Sequence, residues 1–122
     1  MKIMKASELR LGNWVEQPND GVTRVTAVLN DLQIKTETGY VDKYCRPIPL
    51  TEEWLLKFGF ETWETEVSLQ IYDFWQLYNL KIAIYKGNFY TDINAKKIFI
   101  KHVHQLQNLY FALTSEELTI KL

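Results

Sequence analysis

His102 and His104 stand one residue apart, and on an extended strand both imidazoles would project to the same face, where they could begin a metal site. No third ligand stands at motif spacing. An apolar helical periodicity starts at Val103, so the strand-to-helix boundary falls between the two rings, and polar contacts at a helix entry explain them better than a metal. Cys45, the single cysteine, would be a candidate nucleophile beside either histidine, but a lone cysteine is more simply a small core residue. Glu64 and Glu66 alternate onto one strand face. Glycosidase carboxylates flank a sugar cleft from separate elements, so this pair reads as a solvated face. There is no Walker A loop, G-x-G-x-x-G, nucleophile elbow or H-E-x-x-H. Neither catalytic residue, metal nor cofactor is therefore expected, and the chain is read as a non-enzyme.

The remaining chemistry lies in the aromatic side chains, 14% of the residues. Trp54, Phe58, Phe60, Phe99, Tyr110 and Phe111 sit among apolar helix or strand positions and read as core. Trp75, Tyr78, Tyr85 and Tyr90 lie instead around the turns of the second half, near Lys81, Lys86 and Lys101. Ring faces beside ammonium groups can stack on bases or anchor a protein partner, so these seven residues form the candidate binding set.

Charge is segregated in the same region. Residues 51 to 78 carry Glu52, Glu53, Glu61, Glu64, Glu66 and Asp73 against Lys57 alone, whereas residues 79 to 103 carry Lys81, Lys86, Lys96, Lys97 and Lys101 against Asp92 alone. The simplest expectation is neighbouring strands whose exposed faces pair opposite charges across the ladder. A net charge of -1 argues against binding nucleic acid by bulk charge and against an acidic nucleic-acid mimic.

Turn chemistry and alternation predict the elements that carry these groups. Gly12–Glu16, Val22–Leu29, Leu32–Thr36 and Gly39–Tyr44 read as four short strands, with Asp20-Gly21 and Asn30-Asp31 at turns, and such close spacing suits a small curled barrel. Pro47 and Pro49 make the next segment an extended connector. Thr51 as N-cap, Glu52 and Glu53 in the first turn, a Leu50 to Leu55 staple and Gly59 at the end predict a helix near residues 52 to 58. Phe60–Trp63, Val67–Tyr72, Leu80–Tyr85, Phe89–Thr91 and Lys97–Lys101 read as an antiparallel meander. Val103, Leu106, Leu109, Tyr110 and Leu113 then mark the buried side of a helix over residues 103 to 114, leaving Gln105, Gln107 and Asn108 as a polar side for solvent or a partner.

The 122 residues, 47% hydrophobic and 24% charged, belong to one compact domain or two very small ones. The expected division is a β-barrel module over residues 1–49 and a helix, antiparallel sheet and C-terminal helix over residues 50–122, packed as one unit. The fold class is α+β, with the barrel resembling Tudor or KOW modules. A single cysteine, no apolar stretch of signal-peptide length and no 18-residue apolar run point to the reducing cytoplasm, away from membranes.

Pro47–Phe60, taken with the distant Val103–Thr114, resembles a family of small uncharacterised proteins of Bacteroidetes and their phages or prophages. Leu9–Val15 resembles the opening of that family, while residues 61 to 100 are more individual. Relatives often carry glycine where this chain has Ser115. The resemblance brings no catalytic residue. It implies a mobile element in a bacterial cytoplasm and a small accessory protein that binds something host-made, such as a defence nuclease or its nucleotide messenger. Three functions follow as expectations: a factor that binds a host or phage protein, a binder of nucleotides or single-stranded nucleic acid, and a cryptic hydrolase using Cys45, His102 or His104 beside a carboxylate. The first predicts an exposed apolar patch without a cleft, and the second a concave pocket where rings and lysines converge.

Overall fold

The computed structural model describes residues 8–18, 21–30, 33–38, 41–42, 45–67 and 70–121. Strands β1 (Trp14–Gln17), β2 (Gly21–Asn30), β3 (Gln33–Thr36) and β4 (Val41–Asp42) form an antiparallel meander in the order β1-β2-β3-β4. Alternation in β1 and β3 sends Val15, Gln17, Ile34 and Thr36 inward. In β2, register shifts between Val25 and Ala27 and between Val28 and Asn30 interrupt the alternation, and Val28 and Leu29 are both exposed. Beyond β4 the chain returns to the free edge of β1, where Arg46 and Glu16 exchange backbone hydrogen bonds of 2.7 and 3.0 Å. Four residues span at most about 14 Å, so Asp42 and Arg46 hold the two edges of a strongly curled sheet close together. Among the described residues no ladder joins β4 to β1. The unit is an open curled sheet where a closed barrel was expected: the next hydrogen-bonded pair beyond Glu16 and Arg46 would be Trp14 and Ile48, but the Trp14 N–H goes to Gln107 and the Ile48 carbonyl accepts the Val103 N–H.

Helix α1 (Glu52–Lys57) begins as its sequence predicts: the Trp54 N–H donates to the Thr51 hydroxyl at 3.4 Å, and Leu50 and Leu55 are both buried at its start. It ends in a Schellman arrangement, with Gly59 N–H donating to the Leu56 carbonyl and Phe60 N–H to the Leu55 carbonyl, both at 3.0 Å. Gly59 has φ +92, and a Cβ built there would lie 2.8 Å from Lys121 Cγ. Gly59→Ala is expected to destabilise the fold by about 1–2 kcal/mol, read as a lower urea midpoint at unchanged slope.

Strands β5 (Glu61–Val67), β6 (Gln70–Leu77), β7 (Leu80–Tyr85), β8 (Asn88–Ile93) and β9 (Lys96–Phe99) make a second antiparallel meander in chain order. The two strands expected at Phe60–Trp63 and Val67–Tyr72 are present with other bounds. Nothing in Glu61–Val67 turns the chain, so β5 runs on to Val67, and residues 68–69, between it and β6, lie outside the described residues. Left-handed backbone at Lys86-Gly87 and at Asn94-Ala95 makes the tight turns flanking β8.

Helix α2 (Val103–Thr114) buries Val103, Leu106 and Tyr110, together with His104 and Gln107. Leu113, expected inside, is exposed near the end of the helix. The helix closes at Ser115 with φ 61, a left-handed position that favours glycine. The main core joins α1, α2 and one face of the second sheet through residues including Leu55, Phe58, Trp75, Ile82 and Leu106. A smaller core of Leu9, Val15, Val25, Ile34 and Cys45 fills the curled sheet. Among the described residues no helix is long and apolar enough to cross a membrane.

A buried polar joint ties the first sheet to α2. The Gln107 amide accepts the Trp14 N–H at 2.8 Å and donates to the Gly12 carbonyl at 3.1 Å. Asn108 Oδ1 accepts from Asn13 Nδ2 and Arg10 Nε, both at 2.9 Å, and Arg10 also reaches Glu117 at 2.8 Å with its guanidinium over the Phe111 ring. Two segments far apart in sequence, Leu9–Val15 and Val103–Thr114, therefore meet in one structural joint.

Candidate binding face

Directly opposed residues of an antiparallel ladder share a face. Trp63 pairs with Phe74, Phe74 with Ala83, Ala83 with Tyr90 and Tyr90 with Phe99, so one row crosses all five strands. The neighbouring row contains Trp75, Ile82 and Thr91, which are buried against the core, so the Trp63 row occupies the opposite, outer face. Trp63 is 52% exposed and Phe99 43%, while Phe74, Ala83 and Tyr90 are half-buried. Four rings thus flank one central alanine.

Two residues along each strand, a polar row shares this face. Glu61 pairs with Gln76 and Gln76 with Lys81 on β5, β6 and β7, while Asp92 pairs with Lys97 on β8 and β9. On the other side of the aromatic row, Tyr85 opposes Asn88. The ammonium groups lie over the rings: Lys81 is 5.1 Å from the Phe74 centroid, Lys86 5.4 Å from Tyr85, and Lys97 5.4 Å from Tyr85 and 5.5 Å from Tyr90. Such contacts contribute about 0.5–1 kcal/mol each at exposed sites.

Charge pairing across the ladder does not occur as expected among the described residues. Among the described residues no ion pair joins Lys81, Lys86, Lys97 or Lys101 to Glu61 or Glu64; the pairs present are Arg10–Glu117, Arg24–Glu37, Arg46–Glu16, Lys57–Glu53 and the longer His104–Glu8 contact. Register is the reason. Gln76 stands between Glu61 and Lys81, leaving the β5 end of the face acidic and the β9 end basic.

Among the described residues, no lysine lines the depression on this face. An open depression of about 440 Å³ at the β5 end is lined by Gly59, Glu61, Trp63, Gln76, Leu77 and Tyr78, with a carboxylate as its one charged group. The Gln76 side-chain amide donates to the Tyr78 carbonyl at 2.7 Å, fixing a turn whose Tyr78 has φ 51 and is 70% exposed.

The seven sequence candidates separate accordingly. Lys81, Tyr85, Lys86 and Tyr90 gather on the outer face, and Tyr78 stands at its corner. Trp75 lies in the core against Phe89, with ring centroids 5.9 Å apart. Lys101 is exposed, and its backbone N–H donates to Gln105 Oε1 at 2.9 Å, where it helps cap α2. The set omitted Trp63, Phe74, Lys97 and Phe99. In Phe74-Trp75 only one of two adjacent rings can face a core, which was the available signal for this second face.

The remaining reactive residues are placed structurally. His102 and His104 stack with centroids 5.7 Å apart, and His104 is buried with Nε2 3.8 Å from Glu8 Oε2. Among the described residues no three of His, Cys, Asp and Glu gather to hold a metal ion. Cys45 lies buried in the smaller core, Glu64 is exposed, and the Glu66 side chain lies outside what is described. Burial pushes the Tyr110 phenol up, and the charges of Tyr78 and Glu116 act in the same direction. No family model, curated protein or solved structure matches the chain.

Proposed function

We propose that the chain is a non-enzymatic accessory protein that docks a host or phage protein through the outer face of its second sheet. The observation that carries this reading is the row Trp63, Phe74, Ala83, Tyr90 and Phe99. Rings at the centre of a face with a charged row beside them have the anatomy of a protein interface, in which Trp and Tyr anchor and charges form the rim. An outer sheet face suits a macromolecule better than a small ligand, which needs enclosure. The setting in a mobile element within the bacterial cytoplasm, and with it a counter-defence role, rests on the resemblance of residues 47–60 and 103–114. The curled first sheet is read as a Tudor- or KOW-like module, a fold analogy that adds no function.

A second reading, a binder of nucleotides or single-stranded nucleic acid, including a defence signalling nucleotide, is favoured by the ammonium groups over Phe74, Tyr85 and Tyr90. Bases stack on such rings for about 1–3 kcal/mol each. An open sheet face encloses such a ligand poorly, which places this reading second.

Affinity capture from host lysate, with mass spectrometry of protein and small-molecule fractions, tests both. The expected result is a protein recovered by the native chain and reduced about tenfold or more by Trp63→Ala with Phe99→Ala, the loss of two interface anchors. Recovery of a nucleotide or nucleic acid alone would replace the first reading with the second.

A further inference from the structure

We infer that the outer face of the second sheet also accepts a second copy of the chain, packed face to face about a two-fold axis that runs along β7. This rests on the reading of that face as a protein-docking surface and names one occupant for it. The register row is nearly palindromic across the strands: two rings, Ala83, two rings. An axis lying in the interface and parallel to β7 sets β5 over the partner's β9 and β6 over the partner's β8, while each row stays over itself. Trp63 then meets the partner's Phe99, and Phe74 the partner's Tyr90. The two Ala83 positions face each other across the axis, where a pair of long charged side chains would be buried together and hold the sheets apart.

Charge follows the same symmetry. Glu61, at the acidic end, comes over the partner's Lys97 at the basic end. Lys81 leans toward β6, its ammonium over Phe74, and β6 lies over the strand carrying the partner's Asp92. The other in-plane axis, across the strands, would stack β5 on the partner's β5 and β9 on the partner's β9, setting the acidic edge on the acidic edge and the basic edge on the basic edge. Five strands of about six residues present roughly 500 Å² of flat area per copy, since strands lie about 4.8 Å apart and rise about 3.3 Å per residue. That is at the low end for specific interfaces, so the dimer is expected to dissociate in the micromolar range.

Sedimentation equilibrium from about 1 μM to about 1 mM tests this on the full chain. The native protein should pass from monomer to dimer, and Ala83→Lys should remain monomeric while melting normally at low concentration. Glu61→Lys and Lys97→Glu should each weaken association about tenfold. An equimolar mixture of the two should recover it, because the mixed pair restores both opposite-charge contacts. A native chain that stays monomeric throughout, a dimer that survives Ala83→Lys, or a mixture that fails to associate overturns the inference. A monomeric native chain that still captures a host protein, with capture lost in Trp63→Ala with Phe99→Ala, would overturn this occupant and leave the docking face standing.

Discussion

Gln107→Leu is expected to destabilise the protein by about 1–3 kcal/mol, because it strands two part-buried backbone groups while matching the side-chain volume. In the native fold the amide bridges the Trp14 N–H and the Gly12 carbonyl at 2.8 and 3.1 Å, and the residue is 2% exposed. Leucine can satisfy neither, and the first sheet loses its principal hydrogen bonds to α2. Urea unfolding gives the magnitude, and hydrogen exchange at the Trp14 amide locates it, since that amide should lose protection before those of β7. An effect below about 0.5 kcal/mol would mean that water replaces both bonds and that the joint does not hold the sheets together.

Phe58→Ala is expected to destabilise by about 3–5 kcal/mol, the range for removing a wholly buried ring from a packed core. Phe58 is 0% exposed, and its ring lies 5.6 Å from that of Trp54. Leu56, two residues earlier and 59% exposed, provides the control: Leu56→Ala should stay within about 0.5 kcal/mol of the native value. Thermal and urea melts of the two variants check the contrast.

The sequence revealed what depends on local chemistry. Thr51, Glu52, Glu53 and Gly59 mark the ends of α1 because caps and left-handed turns are set by the residues that occupy them. Position 107 shows the limit of that approach. Helical periodicity assigned Gln107 to a polar side with Gln105 and Asn108, yet its partners lie more than ninety residues away, and burial of an amide depends on that distant backbone. The candidate binding face was partly hidden for a related reason. Lys81, Tyr85, Lys86 and Tyr90 stood out near turns, but Trp63, Phe74 and Phe99 join them only through the register of four hairpins. A change of one residue in any pairing would shift that row to the other side of the sheet. Among the described residues the ladder to β1 stops at one bridge because the Trp14 N–H and the Ile48 carbonyl, which would extend it, bond Gln107 and Val103, partners about as distant in sequence as those of Gln107.

The most direct test of the docking face is photo-crosslinking in host cells from a benzophenone amino acid placed at Phe99, with Leu11 as an exposed control at 59% on the first sheet's side of the chain. The proposed function predicts a protein adduct from position 99, either a host or phage protein or a second copy, that is absent from position 11. Adducts of equal yield from both positions, or adducts to nucleic acid alone, would contradict it.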